Sequence, residues 1–144
     1  METRIALLDE ILPLRQAVII AGTGRNSPYF PGDLDAATRH AGVFEDGVCI
    51  GCATFLPSEW EGTAAWQLRG MATAPEWQGR GVGRTLLQFA EGALYDESGV
   101  GLFWCNARAT ACGFYQKMGW VIASDRFDIP GVGLHYRMAK RLPG

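Results

Sequence analysis

No stretch of this chain approaches the roughly 20 consecutive apolar residues that span a bilayer. The apolar run that follows Met1-Glu2-Thr3-Arg4 is broken by Asp9, Glu10 and Pro13. A secretory signal needs an unbroken apolar core behind its basic start, so the expectation is a cytoplasmic protein with no membrane partner. A basic excess is missing too: 13 Lys and Arg against 15 Asp and Glu leave a formal net charge of -2. Nucleic-acid binders usually show a strong positive balance or a Lys/Arg run, and no nucleic-acid partner is expected here. Arg69, Arg80 and Arg84 do gather around one stretch, on the scale of one phosphate-bearing ligand.

Metal-binding side chains are equally sparse. Histidine occurs only at His40 and His135, and cysteine at Cys49, Cys52, Cys105 and Cys112. Cys49 and Cys52 have C-x-x-C spacing, but they lie in the apolar run Val48-Cys49-Ile50-Gly51-Cys52-Ala53. A strand there points them to opposite faces. A zinc site wants a second such pair, which Cys105 and Cys112 do not supply. The expectation is no metal and four reduced core or near-core thiols.

What the chain does have is enough length for one domain. Its 144 residues bury about two-thirds of the unfolded-chain surface, and a single domain over residues 1–144 is expected. Asp9 to roughly Ala21 reads as a helix, with Pro13 near its start and Gly22-Thr23-Gly24 at its end. Residues 25–35 carry Asn26-Ser27-Pro28 and Phe30-Pro31-Gly32-Asp33, which is loop chemistry; a loop this aromatic is a candidate wall for a substrate pocket or a plain surface connection. His40–Phe44 and Val48–Leu56 flank Asp46-Gly47 and read as a β-hairpin. Pro57 to Gly62 reads as a turn and Ala64–Thr73 as a strand.

Val82 to about Glu97 is the clearest helix, with Val82, Leu86, Phe89, Ala90, Ala93 and Leu94 on one apolar stripe and Glu91 mostly off it. Ser98-Gly99 stops it. Val100–Cys105 reads as a buried strand, Ala107–Met118 as a helix ended by Gly119, and Trp120–Ser124 and Leu134–Lys140 as final strands. The order implies an α/β (α+β) fold, a mixed sheet with helices on both faces and one parallel strand–helix–strand crossover.

Between the strand ending at Thr73 and the best helix lies Gln78-Gly79-Arg80-Gly81-Val82-Gly83-Arg84. Alternating glycines let the backbone take unusual φ/ψ values and approach a ligand closely. The helix start adds unpaired N–H groups and partial positive charge. Together these suit a pyrophosphate without a metal or a lysine, with Arg80 and Arg84 adding charge at the edge. A Walker A loop would end in Gly-Lys-Ser/Thr, and no lysine is near. A dinucleotide fingerprint would place glycine where Arg84 or Leu86 stands. A tight strand-to-helix turn with no ligand remains the plain alternative.

The segment from Met71 to Leu87, with Pro75 and then Gln78-Gly79-Arg80-Gly81-Val82-Gly83, resembles the signature of GNAT N-acetyltransferases: strand, Pro, Gln/Arg-x-x-Gly-x-Gly/Ala, helix. Asn106-Ala107-Arg108 followed by Phe114-Tyr115-Gln116-Lys117-Met118-Gly119-Trp120 resembles the family's second region. The resemblance covers roughly residues 40 to 141, with clear motifs in 66 to 120; the first forty residues carry little of it. It implies the GNAT acyl-CoA N-acyltransferase fold, with a central twisted mixed sheet, and acetyl-CoA as co-substrate. It also implies that loop amides from Gln78 to Arg84 hold the CoA pyrophosphate. The pantetheine arm would lie along the main chain of Met71, Ala72 and Thr73, much as an added strand. Asn106 would steady the pantetheine or the acceptor amine.

The activity so implied is transfer of acetyl from acetyl-CoA to a primary amine of a small molecule or peptide by direct attack on the thioester. Tyr115 holds the family's general-acid position, where a phenol stays protonated at neutral pH. Its helical spacing with Ala111, Phe114 and Met118 equally suits a packed tyrosine. No base is legible: Glu59, Glu61 and Asp33 are carboxylates expected to be solvated, and His40 and His135 are expected to be structural or on the surface. Cys112 is expected to be a packed thiol. The acceptor's walls would come from residues 22–35, 57–64 and 125–135, whose Tyr29, Phe30, Trp60, Phe127 and Ile129 suggest a partly apolar acceptor. The alternative is a catalytically silent acyl-CoA-binding module on the same fold. A homodimer is common for that fold.

Overall fold

The computed structural model describes residues 1–143. The chain forms two compact units, one of Met1–Leu56 with Arg69–Gly99 and one of residues 57–68 with the chain from Val100 onward.

The first unit begins with a strand that the sequence reading missed. β1 (Glu2–Ala6) pairs antiparallel with β2 (Arg39–Glu45), Glu2 opposite Phe44 and Ala6 opposite His40. α1 starts at Leu8, earlier than expected, and runs to Arg15. Pro13 is therefore inside the helix and not at its start. The chain then widens into a π turn over Gln16–Ile20, closed by the Ala21 amide donating to the Gln16 carbonyl at 2.8 Å. Proline lacks the N–H that would continue the α ladder, and wider turns of this kind form where that ladder is perturbed.

β2 and β3 (Val48–Trp60) form the expected hairpin across Asp46-Gly47, whose φ values of 50° and 78° suit a two-residue turn of the hairpin type. β3 does not stop at Leu56. It runs through Pro57 to Trp60, and the turn into β4 (Thr63–Thr73) is Glu61-Gly62, again with positive φ at both residues. α2 (Val82–Ser98) packs against β1 and β2 through buried Val82, Leu86, Leu87, Ala90 and Leu94. Gly99, at φ 74°, ends it with its amide on the Tyr95 carbonyl. Glu91 departs from the expected polar face: it is buried with the stripe at 3% exposure, while Phe89 and Ala93 are only half-buried.

In the second unit the first part of β4 pairs parallel with β5 (Leu102–Arg108), Trp66 opposite Phe103 and Leu68 opposite Cys105. β5 pairs antiparallel with β8 (Gly133–Arg141), and β8 also pairs with β6 (Val121–Ile122) and β7 (Phe127–Ile129). The sheet is thus mixed, as expected. Three boundaries differ. β5 extends to Arg108, α3 is only Cys112–Lys117 after a 3₁₀ turn at Ala109–Ala111, and the predicted strand at 120–124 shrinks to two residues. Gly119, at φ 90°, ends the helix as expected. Phe103, Trp120, Tyr115 and Met138 fill the core of this unit, with the Phe103 and Trp120 rings 6.4 Å apart.

Candidate functional site

The end of β4, the following turn and the start of α2 all lie in the first unit. Gly70 interrupts β4 with a φ of 61°. A Cβ there would meet the Phe30 ring at 2.9 Å and the Arg15 Nε at 3.3 Å, so both the backbone conformation and the packing demand glycine. Met71 and Thr73 follow half-buried, with Ala72 buried between them. The strand end is fixed by the Ala74 amide, which donates to the Ile50 carbonyl at 2.8 Å. A 3₁₀ turn over Pro75–Trp77 redirects the chain, with the Trp77 amide on the Ala74 carbonyl.

The loop that follows is exposed from Gln78 to Gly81. Gly79 and Gly81 have φ values of 75° and 83°. Apart from the adjoining residues, nothing lies within 4 Å of a Cβ built on either, so these glycines serve backbone conformation and leave open space above it. Gly83 differs from that expectation: it is an ordinary helical residue in the first turn of α2. Gly81 is the helix N-cap, with no side-chain cap and no acidic residue in the first turn. The first helical bond is the Thr85 amide on the Gly81 carbonyl at 3.0 Å. The amides of Val82, Gly83 and Arg84 therefore have no carbonyl one turn back to bond, and they carry the positive end of a 17-residue helix.

Packing sets where that end sits. Val82 is 2% exposed, and a Cβ on Gly51 of β3 would meet its Cγ1 at 2.6 Å. Gly51 thus allows the start of α2 to close onto the sheet. Around the loop, the Arg80 guanidinium stacks 4.0 Å from the Trp77 ring centroid and bonds the Glu76 carbonyl at 3.4 Å. The Gln78 side-chain amide donates to the Thr73 carbonyl at 3.4 Å. Arg84 is exposed in the first helical turn. Met71, Ala72, Thr73 and Gln78–Arg84 are in this way continuous in one unit. The part of Trp77 was not anticipated, although an aromatic one position before the loop and three before Arg80 is a readable stacking signal. Gly70 was also missed; a glycine inside a strand pattern is itself a sign of a bulge or close approach.

The other predicted residues belong to the second unit. Asn106 lies exposed on β5, opposite Arg137 of β8. Tyr115 is 8% exposed on α3, its ring 5.2 Å from Phe114 and 5.4 Å from Trp120. Burial first, and then the Cys105 and Cys112 thiols, push its phenol well above the ordinary range. It is protonated at neutral pH.

The carboxylates and histidines sort clearly. Asp33 is not solvated. It is 5% exposed and takes a bidentate bond from Arg15, at 2.6 and 3.1 Å, and the Phe30 amide at 2.6 Å. That pair, with Thr54 bonded to Arg15 at 2.7 Å, makes Asp33 a structural anchor of the 22–35 loop. Glu59 and Glu61 are exposed, as expected. His40 is buried, with Nδ1 on Thr54 Oγ1 at 2.8 Å and Nε2 on the Asp33 carbonyl at 3.2 Å; burial holds its pKa below the usual value. His135 is buried with Nδ1 on the Gly133 carbonyl at 2.7 Å, stacked on Phe127.

All four cysteines are free thiols. Burial raises Cys49 to about 11 and Cys52 and Cys105 to about 12, and raises Cys112 as well, so none is a ready thiolate. Among the described residues, no group of three His, Cys, Asp or Glu is placed to hold a metal ion, and no helix is long and apolar enough to cross a membrane.

The signature of an acetyltransferase (GNAT) domain matches residues 37–122. An uncharacterized N-acetyltransferase, YitI of Bacillus subtilis (strain 168), is 34% identical over 145 aligned positions, covering 99% of this chain and 97% of that protein. Among solved structures, Escherichia coli ElaA superposes with a TM-score of 0.82 at 20% identity, covering 97% of this chain and 99% of the other. An aminoglycoside 6'-N-acetyltransferase complexed with coenzyme A superposes at 0.77 and 12% identity, covering 100% and 99%. These two likenesses show the fold, a mixed sheet with helices. The match over residues 37–122, joined to a relative above 30% identity along nearly the whole chain, places this protein in the GNAT N-acetyltransferase family.

Proposed function

We propose that the protein transfers an acetyl group from acetyl-CoA to a primary amine of a small molecule or peptide. The observation that carries this reading is the start of α2: a 17-residue helix whose first-turn amides have no side-chain cap, preceded by two left-handed glycines in open space. Such an end favours anions. It holds no competing carboxylate in its first turn, and Arg80 and Arg84 add positive charge beside it. A pyrophosphate fits this donor set, and the solved structure of a fold relative contains coenzyme A.

The pantetheine arm would run along Met71, Ala72 and Thr73, exchanging main-chain hydrogen bonds as an added strand does. A main-chain amide near Met71 or Ala72 would then meet the thioester oxygen as it gains negative charge, an effect worth about 3 kcal/mol for one such donor. The neutral amine attacks the carbonyl carbon, a C–N bond forms and the C–S bond breaks. The new amide sheds one proton and the departing thiolate gains one. Tyr115 is the proposed donor to the thiolate. What supports it is its position in the family motif and a burial that keeps its phenol protonated. Asn106 is proposed to steady the pantetheine or the acceptor.

Thiol release from acetyl-CoA over an amine panel, alongside calorimetry with CoA, ATP and NAD, tests the proposal. CoA binding together with amine-dependent thiol release is expected. Tyr115→Phe should lower kcat by on the order of 100-fold with CoA affinity unchanged; unchanged turnover removes Tyr115 from the mechanism. CoA binding with no amine acetylated would favour a silent acyl-CoA-binding module. ATP or NAD binding more tightly than CoA would overturn both.

A further inference from the structure

We infer that the acceptor is a small amine bearing a carboxylate, which is gripped by Arg25 and Arg69 across the ring of Phe30. The inference rests on the acetyl-transfer reading and names its substrate class.

Three guanidiniums surround the Phe30 ring, with the carbons of Arg15, Arg25 and Arg69 at 4.3, 4.9 and 5.9 Å from its centroid. They differ in what neutralises them. Arg15 is wholly buried and bonded to Asp33 on both carboxylate oxygens. Among the described residues, Arg25 has no carboxylate partner and Arg69 donates only to the Pro31 carbonyl, at 3.2 Å. Asp35, the other carboxylate of the loop, forms no ion pair among the described residues. Two cations thus share one aromatic ring without an ion-pair partner among the described residues, and both are solvent-accessible. A guanidinium held against an aromatic face keeps its in-plane N–H edge available, the geometry that forks a carboxylate.

Position gives the pair its meaning. The Phe30 ring presses on β4 at Gly70, where a Cβ would come within 2.9 Å of it, and Arg69 is the residue before that glycine. Met71, where the proposed thioester strand begins, is the next residue. At about 3.3 Å per strand residue, Arg69 lies within one small amino acid's length of that strand. A molecule with its amine at the thioester would bring a nearby carboxylate to the arginines. The buried Arg15–Asp33 pair and the Asp33 bond to the Phe30 amide fix the loop main chain that carries the ring. The loop that the sequence marked as a candidate pocket wall is therefore anchored to the strand it would serve.

The test compares amino acids with their carboxamides. Thiol release gives kcat/KM for each matched pair, expressed per neutral amine because the carboxamides are the weaker bases, and calorimetry gives the binding of the N-acetylated pairs to CoA-loaded protein. Each acid should exceed its amide by about tenfold or more in both measurements, and added salt should weaken only the acids. The double variant Arg25→Gln, Arg69→Gln should close the gap to about twofold with CoA affinity unchanged. The single variant Arg25→Gln, at an exposed guanidinium with no hydrogen-bond partner among the described residues, should narrow it without altering the melting temperature. Amides equal to acids in the parent protein, or a gap intact in the double variant, overturns the assignment. Failure to bind CoA would sink the acetyl-transfer reading instead, and the acid-amide comparison by calorimetry on CoA-free protein would still decide the arginine assignment.

Discussion

Gly81 offers a perturbation in which stability and ligand binding should part company. Its φ of 83° is left-handed, so alanine there costs about 1–2 kcal/mol of backbone strain. No atom beyond its own chain neighbours lies within 4 Å of the new Cβ, so no clash adds to that cost. Gly81→Ala should lower the melting temperature by about 3–6 °C and weaken CoA only modestly. Gly81→Glu carries the same strain, but its carboxylate sits at the positive end of α2, which returns about 0.3–1 kcal/mol to the fold. The glutamate variant should therefore be at least as stable as the alanine variant.

Its effect on CoA is the reverse. A charge about 5 Å from a phosphoryl group, at an effective dielectric between ~20 and ~80, repels each phosphate charge by about 1–3 kcal/mol. After screening by salt, a net loss of about 3 kcal/mol is expected, on the order of 100-fold in Kd. Calorimetry with CoA and thermal melts on parent, alanine and glutamate proteins read both quantities. Pantetheine, which lacks the phosphates, serves as the internal control and should bind the two variants alike. Equal CoA affinity in the alanine and glutamate proteins would refute the reasoning, because it would mean that no anion approaches this turn.

Other predictions follow from packing and titration. Gly51→Val should push Val82 away from the sheet, costing about 1–3 kcal/mol in stability and weakening CoA more than a surface change of equal destabilisation; melts and calorimetry read both. Asp33→Asn strips the buried Arg15 of its charge partner and should cost about 3–5 kcal/mol, read by denaturant unfolding. His40 is held below its ordinary pKa by burial, so the unfolded chain takes up its proton first. Stability should therefore fall as pH drops below about 6.5 and level off beneath the folded value, and His40→Gln should flatten that part of the profile.

The parts legible in the sequence are those whose cause is local. α2 announces itself through its apolar period and its closing Gly99, and the Asp46-Gly47 turn through residues that tolerate positive φ. The loop at Gln78–Arg84 was readable for the same reason, since glycines mark the backbone they serve. What escaped depends on partners far along the chain. β1 is five mixed residues, Glu2-Thr3-Arg4-Ile5-Ala6, and is a strand because β2 pairs with it. Pro57 reads as a turn residue, but β3 continues past it to Trp60. Proline is tolerated in a strand wherever no ladder bond is asked of its nitrogen. Asp33 looked like a solvated carboxylate because nothing within the loop shows that Arg15, 18 residues earlier, meets it. Tyr115 is packed between aromatic rings, as its helical spacing suggested, and that burial keeps it protonated; its role as proton donor remains a proposal.

The central claim is that the peptide nitrogens between Gly79 and Arg84 hold the phosphates of coenzyme A. A titration of ¹⁵N-labelled protein with CoA, followed at amide resolution, addresses it most directly. The amides of Gly79, Gly81, Val82, Gly83 and Arg84 should move furthest and saturate together, with smaller shifts at Met71–Thr73. Saturable binding that leaves those resonances in place while others move would contradict it.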